Sequence, residues 1–192
     1  MTEFNERHSE RHWVAAKRVL RYLKGTADYR LRFKQTGNFL KGYVDANFSS
    51  TNKSYTGFVF MLGGAPISWE SKKQKRRTKS TTASEYVALS ESACQGVYLR
   101  NLFKELLGIA QPVCLDIYCD NQPAIKLASN RVHGHGIKYL EVDYHIVREF
   151  IELKEIEVNY VGSGDNIADV LTKPLCLVKH NNCVSEMCYS VK

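Results

Sequence analysis

The stretch from residue 40 to residue 73 constrains this chain more than any other. Three β-rich runs, GYVDANFSS, YTGFVFML and APISWESK, follow one another, split only by turn residues such as Thr51-Asn52-Lys53 and Gly63-Gly64. Connections this short join antiparallel neighbours, because a parallel pair needs a crossover of about a dozen residues or more. A three-stranded antiparallel meander is the expected start of a sheet. A long helical stretch, Ser80 to Leu107, comes next. Leu89, Ala93 and Val97 recur in it every four residues, and Gly108 stops it.

Further on, the alternation is between strands and helices. VCLDIYCD reads as a strand, followed by a short helix around Pro123 to Ala128 and a Gly- and His-rich loop, RVHGHGIKY. A helix over Val142 to Lys154 and a strand IEVNYV follow. Asp165 is placed to cap a last helix, NIADVLTK, which Pro174 ends. Strands separated by helical crossovers are expected to be parallel, so the pattern is a mixed α/β domain. Upstream, residues 10–24 are amphipathic at helical spacing. Trp13, Ala16, Leu20 and Leu23 form one face, Lys17, Arg18, Arg21 and Lys24 lie largely elsewhere, and Gly25 is the natural C-cap. Tyr29, Leu31 and Phe33 alternate with Arg30, Arg32 and Lys34, as in a strand with one basic face. Residues 176–192 show no periodicity and read as a loosely ordered tail.

A chain of 192 residues with 44% hydrophobic residues makes one core, with room for a short appendage. The net charge of +7 favours polyanionic partners. No apolar run approaches the roughly 18 residues of a membrane span, and the N-terminus has no secretory pattern. Nucleic acid is thus preferred to a membrane, in an intracellular setting. The six cysteines show no C-x2-C pairing; most lie in apolar stretches and read as small core residues with free thiols.

Four acids stand where a core-building sequence would not choose them. Asp45 lies inside the first strand between Val44 and Ala46, and strands are depleted in Asp. Glu85 lies in the first turns of the long helix, one turn before Leu89. Asp120 ends the strand IYCD, at the carboxyl edge where open α/β sheets bind ligands. Asp169 lies between Ala168 and Val170. Taken singly, each has an ordinary reading as a turn opener, a dipole-favoured helix residue or a solvated side chain. If they converge, they repel one another until a divalent cation with oxygen preference joins them. The run KKQKRRTK, residues 72–79, links the third strand to the helix carrying Glu85. It is either a solvated face or a set of phosphate contacts. Trp69, just before it, reads as core. The histidines have no partners at zinc spacing, and no Walker loop or G-x-S-x-G occurs.

The segments AAKRVLRYLKGT, GYVDANF, SYTGFVFMLGGAPISWESKKQ, ASEYVALSESA, IYCDNQPAI, EVDYHIVREFI and NIADVLTKPL together resemble the C-terminal part of copia-type LTR retrotransposon Pol polyproteins, over about residues 10–175. The resemblance implies a ribonuclease H-like fold, with a five-stranded mixed sheet of three antiparallel and two parallel strands flanked by helices. It implies that residues 39–175 form the ribonuclease H domain and that residues 1–38 are the end of the reverse-transcriptase polymerase and connection region. Residues 176–192 stay unassigned. By motif it carries the catalytic, metal-binding acids onto Asp45, Glu85, Asp120 and Asp169, with two Mg²⁺ ions, or Mn²⁺, as cofactors. The implied activity is hydrolysis of the RNA strand of an RNA–DNA hybrid, in the cytoplasm or nucleus. Lys72, Lys73, Lys75, Arg76 and Arg77 would grip the hybrid, and the upstream polymerase region would be the partner within the polyprotein. Two departures stand out: Asn47 where the family has a second aspartate, and GHGIKYLE, residues 134–141, where it has H-E-R-T-K-H-I-D. They leave open a catalytically impaired remnant that only binds nucleic acid.

Overall fold

The computed structural model describes residues 6–35, 40–108, 113–129 and 140–190. Its elements, in chain order, are α1 (Glu10–Gly25), β1 (Tyr29–Arg30), β2 (Lys41–Asn47), β3 (Tyr55–Leu62), β4 (Ala65–Lys73), α2 (Thr81–Leu107), β5 (Leu115–Cys119), α3 (Gln122–Ser129), α4 (Glu141–Glu152), β6 (Ile156–Tyr160), a 3-10 segment (Ile167–Leu171), α5 (Leu177–Met187) and β7 (Tyr189–Ser190). The main sheet has the order β4-β3-β2-β5-β6. β2, β3 and β4 are antiparallel, while β5 pairs in parallel with both β2 and β6. This is the mixed five-stranded sheet expected, three antiparallel strands followed by two parallel ones.

Alternation along β2 and β3 decides what each face receives. Val44, Ala46, Phe58 and Phe60 belong to the main core with α2 residues Tyr86, Leu89, Ala93 and Val97. Each fully buried side chain of this size stabilises the fold by about 1.5–3 kcal/mol. Burial extends nearly all round the first half of α2, where the small polar residues stay satisfied. Ser84 and Ser92 donate to the carbonyls of Thr81 (2.7 Å) and Leu89 (2.9 Å). Ser80 caps the helix by accepting from the Ala83 amide, and Gly108 closes it in the left-handed conformation at φ 62°. The opposite set of side chains, beginning with Tyr43 and Asp45, faces the 3-10 segment and α5.

Several sequence expectations are corrected. α1 runs through Gly25, and its C-cap is Thr26, whose hydroxyl donates to the Tyr22 carbonyl at 2.9 Å. The apolar face of α1 is not packed: Trp13, Leu20 and Leu23 are all exposed. The strand over 29–34 shrinks to Tyr29–Arg30. The last helix is a 3-10 segment capped by Asn166, not Asp165, with the Asn166 side chain accepting from the Ala168 amide at 3.1 Å. The tail is not loose. α5 docks with Cys183 buried, and β7 pairs antiparallel with β1. Only Cys119 and Cys183 of the six cysteines are buried. Trp69 is not core but 60% exposed, over a shallow apolar groove of about 300 Å³ shared with Tyr22, Tyr29 and Val184.

Candidate active site

The four acids arrive on four elements and meet at one edge of the sheet. The parallel β2–β5 ladder ends with Val44 opposite Cys119. The next residues, Asp45 and Asp120, therefore stand side by side at the carboxyl end of the two strands. The start of α2 brings Glu85 over that edge, and the 3-10 segment brings Asp169 from the other face. Carboxylate oxygens of Asp45, Asp120 and Asp169 lie within 4.8 Å of one another, as do ligand atoms of Glu85, Cys119 and Asp120. Asp120 belongs to both groups and, half-buried, forms the mouth. Asp45, Glu85 and Asp169 are buried.

Crowded carboxylates without water around them hold their protons. Burial, then the charges of Asp45 and Asp120, push Glu85 up from 4.5 to about 9, against a hydrogen bond from the Ala46 backbone. Its Oε2 is buried with no hydrogen-bond partner among the described residues. Burial also raises Asp45 to about 6; the Thr172 hydroxyl works against this, and Asp169 adds to it. Burial, with Glu85 beside it, raises the Cys119 thiol far above its usual range, so it stays protonated and is no thiolate ligand. What remains is an all-carboxylate oxygen set that includes an orphaned buried oxygen on Glu85. Those are the donors a hard divalent cation prefers, and the residues present fit one.

A polar scaffold holds the acids, and sequence reasoning missed most of it. Thr172 donates to Asp45 Oδ2 and also approaches the Asp169 carbonyl at 3.2 Å. Asn47 Nδ2 in turn donates to the Thr172 carbonyl at 3.3 Å, a bond that an aspartate at this position could not make. Asn166, wholly buried, donates to the Val44 carbonyl at 2.9 Å and fixes the 3-10 segment to β2. Gly57 lies opposite Asp45 on β3 and leaves room for that segment. A Cβ there would stand 2.6 Å from Thr172 Cγ2 and 2.9 Å from Leu171 Cβ. Lys173 reaches Asp169 Oδ1 at 2.8 Å and Asp45 Oδ2 at 3.5 Å, and Lys179 of α5 pairs with Asp169 Oδ2. Burial would lower the Lys173 pKa, but its bond to Asp169 and the charge of Asp45 carry it above the ordinary value. The i,i+4 spacing of Asp169 and Lys173 is the one sequence signal that pointed here.

The basic run is less free than its composition suggests. Lys72 pairs with Glu70 at 2.7 Å and Glu91 at 3.6 Å, and Arg76 pairs with Asp143. Lys73 lies over the Tyr55 ring at 5.8 Å. Lys75 and Arg77 are exposed, with no ion pair among the described residues. Of loop 134–141, residues 134–139 lie outside the described residues; Leu140 is buried and Glu141 opens α4. A hollow of about 720 Å³ lies against Tyr43, Tyr118 and Tyr160, and none of the four acids lines it.

No protein-family profile matches the chain. It is 38% identical over 176 residues to the retrovirus-related Pol polyprotein from transposon TNT 1-94 of Nicotiana tabacum, covering 90% of this chain and 13% of that protein. It is 36% identical over 188 residues to the Pol polyprotein from transposon RE2 of Arabidopsis thaliana, covering 95% and 13%. The chain thus spans about an eighth of the length of these curated relatives. Among solved structures, LC11-RNase H1, isolated from compost, superposes with a TM-score of 0.55 at 15% identity over 70% of this chain and 93% of that one. The same protein in complex with an RNA/DNA hybrid superposes at 0.50, with 13% identity, over 69% and 93%. At such identities the structures establish the fold.

Proposed function

This chain belongs to the retrovirus-related Pol polyproteins of transposons and carries their ribonuclease H-like part, and from that we propose that it is the metal-dependent ribonuclease H of a copia-type reverse transcriptase, hydrolysing the RNA strand of RNA–DNA hybrids. The observation that carries this reading is the meeting of Asp45, Asp120 and Asp169 within 4.8 Å, with Glu85 joined to them through Asp120. The polymerase region would lie upstream, as the partner within a parent polyprotein; that the chain covers 13% of such polyproteins supports a longer parent. Residues 39–175 would be the nuclease unit, with residues 1–38 contributed by the end of the polymerase region. No described helix is long and apolar enough to cross a membrane; we place the protein with its nucleic acid, in the cytoplasm or nucleus.

Asp45, Glu85 and Asp120 would hold one Mg²⁺ and Asp45 with Asp169 a second, and Mn²⁺ would meet the same donors. When bound, such ions supply an activated water and charge stabilisation for a phosphodiester displacement. The chain's own residues do the rest. Glu85 must release its proton to become a ligand, so it is the group whose charge follows ion entry. Thr172, anchored by Asn47, orients the Asp45 carboxylate. Lys173, close to both Asp45 and Asp169, balances part of their combined charge. Lys75 and Arg77 are the members of the 72–77 run free to meet phosphates, while Lys72, Lys73 and Arg76 would reach them only by leaving their present contacts. Selection of RNA would rest on helix shape and the 2′-hydroxyl rather than base edges.

One observation favours the impaired alternative, a remnant that only binds nucleic acid: two ammonium groups already sit on Asp169. Incubation with a labelled RNA–DNA hybrid and Mg²⁺, beside Asp120→Asn, separates the two. Cleavage confined to the RNA strand, abolished by the substitution and by chelator, establishes the nuclease. A well-folded protein that retains hybrid but cuts nothing, even with Mn²⁺, leaves the remnant standing.

A further inference from the structure

The segment without a sequence-assigned role reaches into the site. α5 lays the Lys179 ammonium on Asp169 Oδ2 and on the Ser163 carbonyl. Lys173 stands 2.8 Å from the other oxygen of the same carboxylate. Both oxygens of the wholly buried Asp169 are therefore taken by cations. Asp45 shares Lys173 and takes the Thr172 hydroxyl on its Oδ2. Glu85 and Asp120 receive no lysine or arginine among the described residues. The cluster is divided: its Asp45–Asp169 half is paired with ammonium groups, and its Glu85–Asp120 half forms no ion pair with one among the described residues.

Lys179 is held from behind. Its side chain is only 25% exposed. The neighbouring His180 ring packs edge-on against Tyr22 of α1, with centroids 5.7 Å apart. Cys183, one turn along α5, is buried, and β7 continues from α5 into its pairing with β1. The two terminal segments thus clasp the helix that delivers the lysine.

Charge balance then sets the ion count. Four ionised carboxylates match two divalent cations. With two ammonium groups already among them, the balance is met by one. We propose that Lys179 is a built-in counter-cation on the Asp169 arm, so that the chain takes one divalent ion tightly at Glu85 and Asp120 and a second at Asp45 and Asp169 only by expelling Lys179. This rests on the reading above that the four acids bind divalent metal, and adds an order of filling set by a residue outside the acid cluster.

Mn²⁺ titration of the full chain, followed by calorimetry and by the electron paramagnetic resonance of free Mn²⁺, tests it without nucleic acid or turnover. The unmodified protein should show one tight site and a second weaker by about tenfold or more, the scale of one nearby unit charge in a partly screened site. Lys179→Met should tighten the second site by about tenfold and leave the first within about twofold, while Lys179→Arg should keep the original pattern. Hydrogen exchange on the unmodified protein provides a readout that needs no variant. Amides of Leu177–Met187 should exchange faster on filling of the second site and not of the first. Two equivalent sites in the unmodified protein, equal tightening of both by Lys179→Met, or an α5 indifferent to the second ion would each overturn the proposal while leaving the metal reading intact. Absence of any Mn²⁺ binding would overturn both.

Discussion

Replacing Glu85 by glutamine should stabilise the metal-free protein, and by an amount that depends on pH. In the unfolded chain the carboxyl titrates near 4.5, and in the fold burial and its acidic neighbours raise it to about 9. Below pH 4.5 both states hold the proton and the group is neutral to stability. Between 4.5 and 9 the native state retains a proton that the unfolded state has lost, so stability falls by about 1.4 kcal/mol for each pH unit gained. At pH 7 the deficit is about 3 kcal/mol, an order-of-magnitude figure for a group this buried. Above 9 both states are ionised and the cost levels off. Glutamine keeps the shape and removes the titration. Urea unfolding in chelator at pH 5, 7 and 8.5 should show Glu85→Gln close to the unmodified protein at pH 5 and ahead of it by about 1–3 kcal/mol at pH 7, with the gap growing toward 8.5. A gap that is constant with pH, or one that favours glutamate as pH rises, would refute the claim that Glu85 is a buried acid waiting for a cation. Saturating Mg²⁺ should reverse the order, since the ion supplies the charge that glutamate lacks in its absence.

Two further substitutions probe how the 3-10 segment is held. Gly57→Ala forces a Cβ to within 3 Å of both Thr172 and Leu171; it should cost about 1–3 kcal/mol in urea unfolding and weaken Mn²⁺ binding, because the segment carrying Asp169 lifts from β3. Asn166→Ala strands the Val44 carbonyl and the Ala168 amide and should cost about 1–3 kcal/mol for each. Asn166→Asp, which keeps the acceptor alone, should cost less at low pH than Asn166→Ala.

The sheet and the four acids were readable because each rests on a local signal. Connections of seven and two residues are too short for a crossover and force β2, β3 and β4 antiparallel, and an aspartate inside a strand is unusual wherever it occurs. The scaffold around the acids has no such signal. Thr172 meets Asp45 across 127 positions and Asn166 meets Val44 across 122, and contacts of that span leave no period in the sequence. Asp165 and Asn166 are equally good caps on paper; the buried Val44 carbonyl, which needs a donor that only the amide has, selects Asn166. Trp69 was misread for a related reason. Its alternation along β4 is that of a core residue, but it points to the side of the sheet where only the groove beside α1 and α5 lies. The tail looked structureless because its helix buries only one residue fully, Cys183, and docks otherwise through an ion pair and partly exposed contacts. A hydrophobic count does not register an anchor that is an ion pair with a buried aspartate.

The net charge, too, changes meaning once it is located. Residues 1–35 hold nine basic and four acidic residues, so five of the seven surplus charges lie in that stretch; residues 36–192 hold eighteen basic and sixteen acidic. The sheet and its acids therefore sit in a nearly neutral unit, in which Lys72 and Arg76 are already matched by Glu70, Glu91 and Asp143. The surplus sits on α1 and β1, where Arg18, Arg21, Lys24 and Arg30 are exposed and unpaired among the described residues. Counterion release scales with the phosphates a protein neutralises, so the affinity suggested by a pI near 9.1 belongs mainly to the N-terminal segment and only slightly to the nuclease-like unit. On the proposed reading and that division, the acids would make the unit's most specific contact with a nucleic acid, because a cation held between carboxylate and phosphate joins two anions that would otherwise repel. On the proposed nuclease reading, the metal would then be needed for holding substrate as well as for cutting it.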